Sequence, residues 1–371
     1  MQSSRPKPSL GLLRSLTDEH VLRALLRERQ LTRAELAAQT GISKPTVAES
    51  VRRLAAEGLV HDTGDRSTGR GRSGSYFALA EGLGWGLAIS VTAEAVEAER
   101  IDLLGDVVRR TIEPIPDSPD QDRVGEALTR AATGVSNGAG PARLATVSAA
   151  DPVDRHSGRL VELPDSPFLV GTLDPAAVLS EFVSGPVTVD NDVNWAARAK
   201  LAEDGSPADF ALLYLGAGLG CAIVSDREVR RGDTGLAGEI SHLITRGQDS
   251  RAVHFTEVFD QLGLHRPHSS AIDVSLLLRR LDEPNSAVLP VVADAVCDVA
   301  ETLIAVSDPH LIMVTGPWGE HAALVAAIRN RLADRPRQTA FLPSRLAADA
   351  SLAAVRWHVG EGLQQALLTR S

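Results

Sequence analysis

Between residues 17 and 58 the apolar side chains recur every three or four positions, and the segment reads as three short amphipathic helices. Val21, Leu22, Leu25 and Leu26 share one face of a first helix over residues 17–29. Thr32 is followed three residues later by Glu35, a capping-box pair that opens a second helix, and Thr40-Gly41 closes it. Ser43 caps a third helix, where Pro45 is tolerated because the first turn has no intrahelical donor to lose. Val47, Val51 and Leu54 then point inward at i, i+4 and i+7, and Gly58 ends the run. Beyond it the period shortens. Residues 59–61 and 76–79 predict two strands joined by TGDRSTGRGRSGS, a glycine- and arginine-rich hairpin tip.

From Gly84 onward strands and helices alternate, which predicts an α/β body. Residues 84–92 read as a strand and residues 96–115 as a hairpin or meander. Residues 123–136 form a helix with Val124, Leu128 and Ala132 in register, and residues 143–154 run from a buried strand into a Pro turn. Residues 186–200 predict a strand whose end, Asn191-Asp192, leads directly into a helix. Residues 210–224 are two apolar strands about a glycine-rich turn, and residues 310–320 a strand, a Gly-Pro turn and a helix start.

A chain of 371 residues is too long for one ordinary core and suggests two or three domains. It holds no apolar run long enough to span a bilayer and no signal-peptide pattern, so a cytoplasmic protein without membrane contact is expected. Cys221 and Cys297 lie in apolar surroundings and suit reduced, buried thiols. The chain carries a net charge of −10, yet residues 1–80 hold 13 Lys and Arg against 8 Asp and Glu. A basic head on an acidic body suits a DNA reader attached to a domain of another kind.

The helices support that reading. A short Gly-containing turn between the second and third sets them at the steep angle of a helix-turn-helix. The third helix would enter the major groove N-terminus first, with Lys44, Thr46, Ser50 and Arg53 turned toward bases and phosphates. The hairpin tip would be a wing whose Arg70 and Arg72 reach into a narrow minor groove. The expected partner is double-stranded DNA, an operator of palindromic form read by a homodimer or homotetramer. The plainer alternative is a three-helix bundle with a solvated loop.

The stretch LGAGLGCAIVSDREVRRGDTGLAGEISH, residues 215–242, resembles the signature of the ROK family of repressors and sugar kinases. DNDVNWAA and VTGPWGE resemble that family's strand-end Asn-Asp segment and its late glycine turn. The resemblance implies an N-terminal winged helix-turn-helix over residues 1–80 and a two-lobed α/β domain of the actin-like, sugar-kinase type over 81–371, with lobes at about 81–190 and 191–371. It also implies that Asn191, Asp192, Glu239 and His242 hold sugar hydroxyls, with Glu257 reaching the same ligand. The residue types fit: two acids accept from hydroxyls, while an amide and an imidazole can donate to them.

Two departures from the family shape the expectation. Its kinases place an Asp-x-Gly-x-Thr loop after the first strand to hold ATP phosphates, where this chain has Ile89-Ser90-Val91-Thr92-Ala93. Its zinc cluster of cysteines is replaced by LITRGQDSRAVHFTEVFD, so neither a metal nor a cofactor is expected, although Asp249, His254, His265 and His268 lie nearby. The sequence therefore points to a transcription regulator, a repressor of carbohydrate-related genes controlled by a sugar or sugar derivative. The alternatives are a sugar kinase with a DNA-binding head and a regulator blind to ligand.

Overall fold

The computed structural model describes residues 10–67, 74–115, 121–163, 173–267 and 269–369. The head comprises α1 (Leu10–Glu28), β1 (Gln30–Thr32), α2 (Arg33–Thr40), α3 (Lys44–Ala56), β2 (Val60–Arg66) and β3 (Ser75–Leu79). Thr32 and Glu35 form the reciprocal capping box, Gly41 closes α2 in the left-handed conformation, and Ser43 caps α3. Val21, Leu22, Leu25, Leu36, Val47, Val51 and Leu54 are all fully buried. β1 was not anticipated: it pairs antiparallel with β3 and completes a three-stranded sheet in the order β1-β3-β2. Three residues are too short a run for periodicity to reveal, and Thr32 serves as both strand end and helix cap. The β2–β3 hairpin stands as expected, but its tip, with Arg70 and Arg72, lies outside the described residues.

The first lobe holds β4 (Gly86–Val91), β5 (Ala95–Ile101), β6 (Val107–Pro114), α4 (Gln121–Ser136), β7 (Ala145–Ala149), α5 (Pro175–Val178) and β8 (Val187–Asn191). Its sheet runs β6-β5-β4-β7-β8, antiparallel across β4–β6 and parallel from β4 through β8. The chain then passes through α6 (Asp192–Ala202), β9 (Phe210–Leu215), β10 (Leu219–Ser225), β11 (Glu228–Val229), β12 (Ile244–Arg246) and β13 (Ala252–His254). It continues with α7 (Phe255–Gln261), α8 (Val274–Leu281), α9 (Val288–Ser307), β14 (Leu311–Thr315), α10 (Ala322–Ala333), β15 (Ala340–Pro343) and α11 (Ala350–Leu368). The second sheet, β11-β10-β9-β14-β15, repeats the plan of the first: an antiparallel meander, then two parallel strands.

The central strands are apolar on both faces because helices cover both sides. α11 breaks the expected division of the lobes: though last in the chain, it packs on β4, β7 and α6 rather than on the second sheet. Val355, Val359, Leu363 and Leu367 lie in one buried cluster with Ala88 and Ile101 of the first sheet and Leu22 and Leu25 of the head. Arg356 anchors the helix by two hydrogen bonds to Glu99, at 2.7 and 2.9 Å. The head is also tied to the first lobe by Arg29, whose guanidinium donates twice to Asp106, at 2.5 and 2.9 Å. Among the described residues no helix is long and apolar enough to cross a membrane.

Candidate functional site

On the head, Lys44 and Thr46 are exposed in the first turn of α3. Ser50 corrects the sequence reading. It is fully buried and donates its hydroxyl to Asp18 of α1. Its place three residues after Val47 and four before Leu54 puts it on the inward stripe, so it faces no groove. Arg53 is half-buried and also engaged by Asp18, with Nη2 to Oδ1 at 2.6 Å and Nε to Oδ2 at 3.2 Å. Asp18 therefore locks α1 to α3 and withdraws two residues from the expected DNA face.

Between the lobes lies a cleft of ≈ 160 Å³, small beside the sites that hold drug-sized ligands. The first lobe supplies the β4–β5 turn (Thr92, Ala93, Glu94) and the start of α6; the second supplies the β9–β10 turn and the loop carrying Glu239 and His242. Four of the five sequence-chosen residues meet there: Asn191, Asp192, Glu239 and His242 all line it. Glu257 does not. It sits exposed on α7, 3.3 Å from His254, and His254 in turn packs edge-on against His242 with ring centroids 5.5 Å apart. Without the family's cysteine cluster, the short β12–β13 hairpin occupies this stretch. Among the described residues no group of three or more His, Cys, Asp or Glu is placed to hold a metal ion, and His268 lies outside them.

Asn191 is the N-cap of α6: its Oδ1 accepts from the Val193 N–H at 2.9 Å, and its Nδ2 makes long contacts with the carbonyls of Ala149 and Asp151. The Asp192 carboxyl accepts from the backbone N–H groups of Val193 and of Asp192 itself. Burial pushes its carboxyl up to about 7, against the helix N-terminus that would favour the anion. Glu239 is likewise raised to about 7, by burial first and then by the charges of Asp192 and Asp151. Nε2 of His242 is buried without a hydrogen-bond partner. Tyr214, on the same wall, is pushed up to about 12 by burial and by Asp192 and Glu94.

Sequence reasoning missed Glu94 and Tyr214. Glu94 was findable, since it lies one residue beyond the degenerate loop already singled out. Tyr214 is a strand residue whose facing depends on register with β10. The walls are also fastened to each other. Asp190, just before Asn191, is buried between Arg198 at 2.7 Å and Arg231 at 3.2 Å, and Arg231 belongs to the loop leading to Glu239. Trp318, in the late glycine turn, donates its indole N–H to the Gly216 carbonyl at 2.8 Å and so holds the β9–β10 turn in place.

The fold and cleft define a two-domain protein, a winged helix-turn-helix head on a sugar-kinase-like α/β body. A profile described as winged helix-turn-helix DNA-binding matches residues 14–61, and the ROK family profile matches residues 113–257. Over residues 113–257 the chain is thus similar to the ROK family. A xylose repressor of Bacillus spizizenii is 21% identical over 242 residues, covering 62% of this chain and 61% of that protein. The chain thus spans about three fifths of the length of the curated relatives it matches. A glucokinase of Halalkalibacterium halodurans is 41% identical over 68 residues, 18% of this chain and 20% of the enzyme. Among solved structures, a ROK family transcriptional regulator homologous to the E. coli MLC protein superposes with a TM-score of 0.61 at 17% identity, covering 97% of this chain and all of that one. A Streptomyces griseus ROK glucokinase in complex with glucose and AMPPNP gives a TM-score of 0.55 at 20% identity, covering 75% of this chain and 100% of the enzyme.

Proposed function

We propose that this protein is a cytoplasmic DNA-binding repressor of carbohydrate-related genes, working as a homodimer or homotetramer on a palindromic operator. Its grip is set by a sugar or sugar derivative bound between the lobes. Lys44 and Thr46, with the wing arginines Arg70 and Arg72, contact DNA; Asp192, Glu239 and His242 contact the effector. The observation that carries the reading is the course of α11. At its N-terminal end Ser351 donates to the backbone carbonyl of Asp192 at 2.9 Å, and farther along the helix packs against α1 of the head. A ligand that shifts Asp192 shifts the rod on which the head rests, and such coupling is reciprocal between the two sites.

The sugar-kinase alternative finds less support. The β4–β5 turn presents a carboxylate, Glu94, and its N–H groups at Glu94 and Ala95 are already engaged by the Thr92 hydroxyl, at 3.3 and 3.2 Å. A turn whose Glu94 and Ala95 donors are engaged and which carries a negative charge is poorly suited to hold a triphosphate.

The test is fluorescence anisotropy on an operator fragment recovered by genomic footprinting, titrated with sugars. Asp192→Ala should weaken the effector response about ten- to a hundred-fold, the loss of a hydrogen bond to a charged group, while ligand-free operator affinity stays the same. Operator binding that ignores every sugar in the wild type would remove the sensor half. ATP consumption with any hexose would restore the kinase reading.

A further inference from the structure

Several part-buried or buried carboxylates elsewhere in the described fold are met by arginines: Glu99 by Arg356, Asp190 by Arg198 and Arg231, Asp298 by Arg246, Asp18 by Arg53. The cleft is built differently. Glu94, Asp192 and Glu239 line one small cavity, and no ion pair to any of them is formed among the described residues. Among the described residues that line it there is no Lys or Arg, and His242 is the one group able to carry positive charge. Its Nε2 is buried without a partner, an open hydrogen-bonding position on the same wall. Three uncompensated acids in a partly desolvated cavity repel one another, and a bound cation relieves that repulsion while a bound anion adds to it.

We infer that the cleft sorts effectors by charge: a polyol bearing a protonated amine binds most tightly, its neutral counterpart less so, and its phosphate ester not at all. The inference rests on reading the cleft as the effector site and adds to it the chemical class of the effector. The amine sits among the carboxylates of Asp192, Glu239 and Glu94, while the hydroxyls use the remaining oxygens and Nε2 of His242. A metal cation is a poorer candidate, since the donors form no group of metal-binding geometry among the described residues. A phosphate meets Glu94 at the rim, and the adjacent amide donors are occupied by Thr92.

The experiment is calorimetry on the full-length chain at neutral pH with matched sets: glucose, glucosamine, N-acetylglucosamine and glucose 6-phosphate, then the corresponding mannose and galactose sets. In at least one set the amine should bind about tenfold or more tightly than the neutral sugar, the gain of a charge-assisted hydrogen bond. The phosphate should give no heat. In Glu94→Gln the margin of amine over neutral sugar should shrink. A phosphate that binds as well as its parent sugar overturns the inference. Equal affinity for amine and neutral sugar also overturns it and leaves the sugar-sensor reading intact. Silence across all sets sinks the sensor reading and takes the inference with it.

Discussion

The two turns that open the cleft hold equivalent places in the two lobes, each joining the first and second strands of the same five-stranded plan. They are built from opposite materials. The β9–β10 turn is Gly216-Ala217-Gly218, closed by a hydrogen bond from the Gly216 N–H to the Gly218 carbonyl at 3.0 Å and held by Trp318. The β4–β5 turn has no glycine. Thr92 clasps it instead, accepting from the N–H groups of Glu94 and Ala95 and donating to the Ala95 carbonyl at 3.1 Å. The comparison shows that the architecture tolerates either turn while the chemistry does not. A glycine turn keeps backbone close to a ligand, whereas a hydroxyl clasp engages the donors and leaves a carboxylate in their place.

The largest expected effect lies on the glycine side. Gly238 has φ of +98°, and an added Cβ would stand 2.0 Å from the carbonyl oxygen of Cys221, just beyond the turn. Neither that backbone nor the left-handed conformation adapts to a side chain. Gly238→Ala should therefore cost about 3 kcal/mol or more in denaturant unfolding and displace the neighbouring Glu239 from the cleft. Ala93→Gly on the opposite turn should cost no more than about 1 kcal/mol, the entropy of a freer residue. Similar losses for the two variants would erase the contrast.

The cleft acids sharpen the contrast through pH. Asp192 and Glu239 have folded-state values near 7, above their ordinary 3.8 and 4.5. The folded protein therefore binds more protons than the unfolded chain between those limits, and stability must fall as pH rises through that window. Melting of the ligand-free protein should drop by a few degrees between about pH 5 and pH 8. Asp192→Asn should flatten the curve, because the amide has no proton to lose. A melting temperature that rises over the same range would mean that both acids are ionised and paired.

Much of this was legible because its causes are local. The capping box of Thr32 and Glu35, the Gly41 stop and the Ser43 cap each act within four residues, and all are present. Asn191 and Asp192 were placed at a strand-to-helix junction by pattern alone. Ser50 was misread although its spacing from Val47 and Leu54 marked it as inward; what the sequence hides is Asp18, 32 residues away, as its partner. The return of α11 to the first lobe was equally hidden. Its Val, Leu and Ala positions suit any apolar surface, and the choice is made by long-range partners such as Glu99, 257 residues away. β1 escaped because a three-residue strand has no period.

The smallest expected effect tests which feature of the β4–β5 turn bars phosphate. Thr92→Ala removes the hydroxyl that bonds the Glu94 and Ala95 amides and should cost about 1 kcal/mol of stability, measured by thermal or denaturant unfolding. Those two N–H groups then become available, and an anion site needs donors of that kind. Glu94 remains at the rim of the same turn, so its negative charge should still oppose any phosphate. Magnesium ATP should accordingly give no heat with Thr92→Ala, whereas Thr92→Ala combined with Glu94→Gln should show weak binding. Heat from the single variant would make the hydroxyl clasp the barrier and Glu94 a bystander. No heat from either would mean that freed amides are not enough, and that the close backbone approach of the glycine turn in the other lobe is what this one lacks.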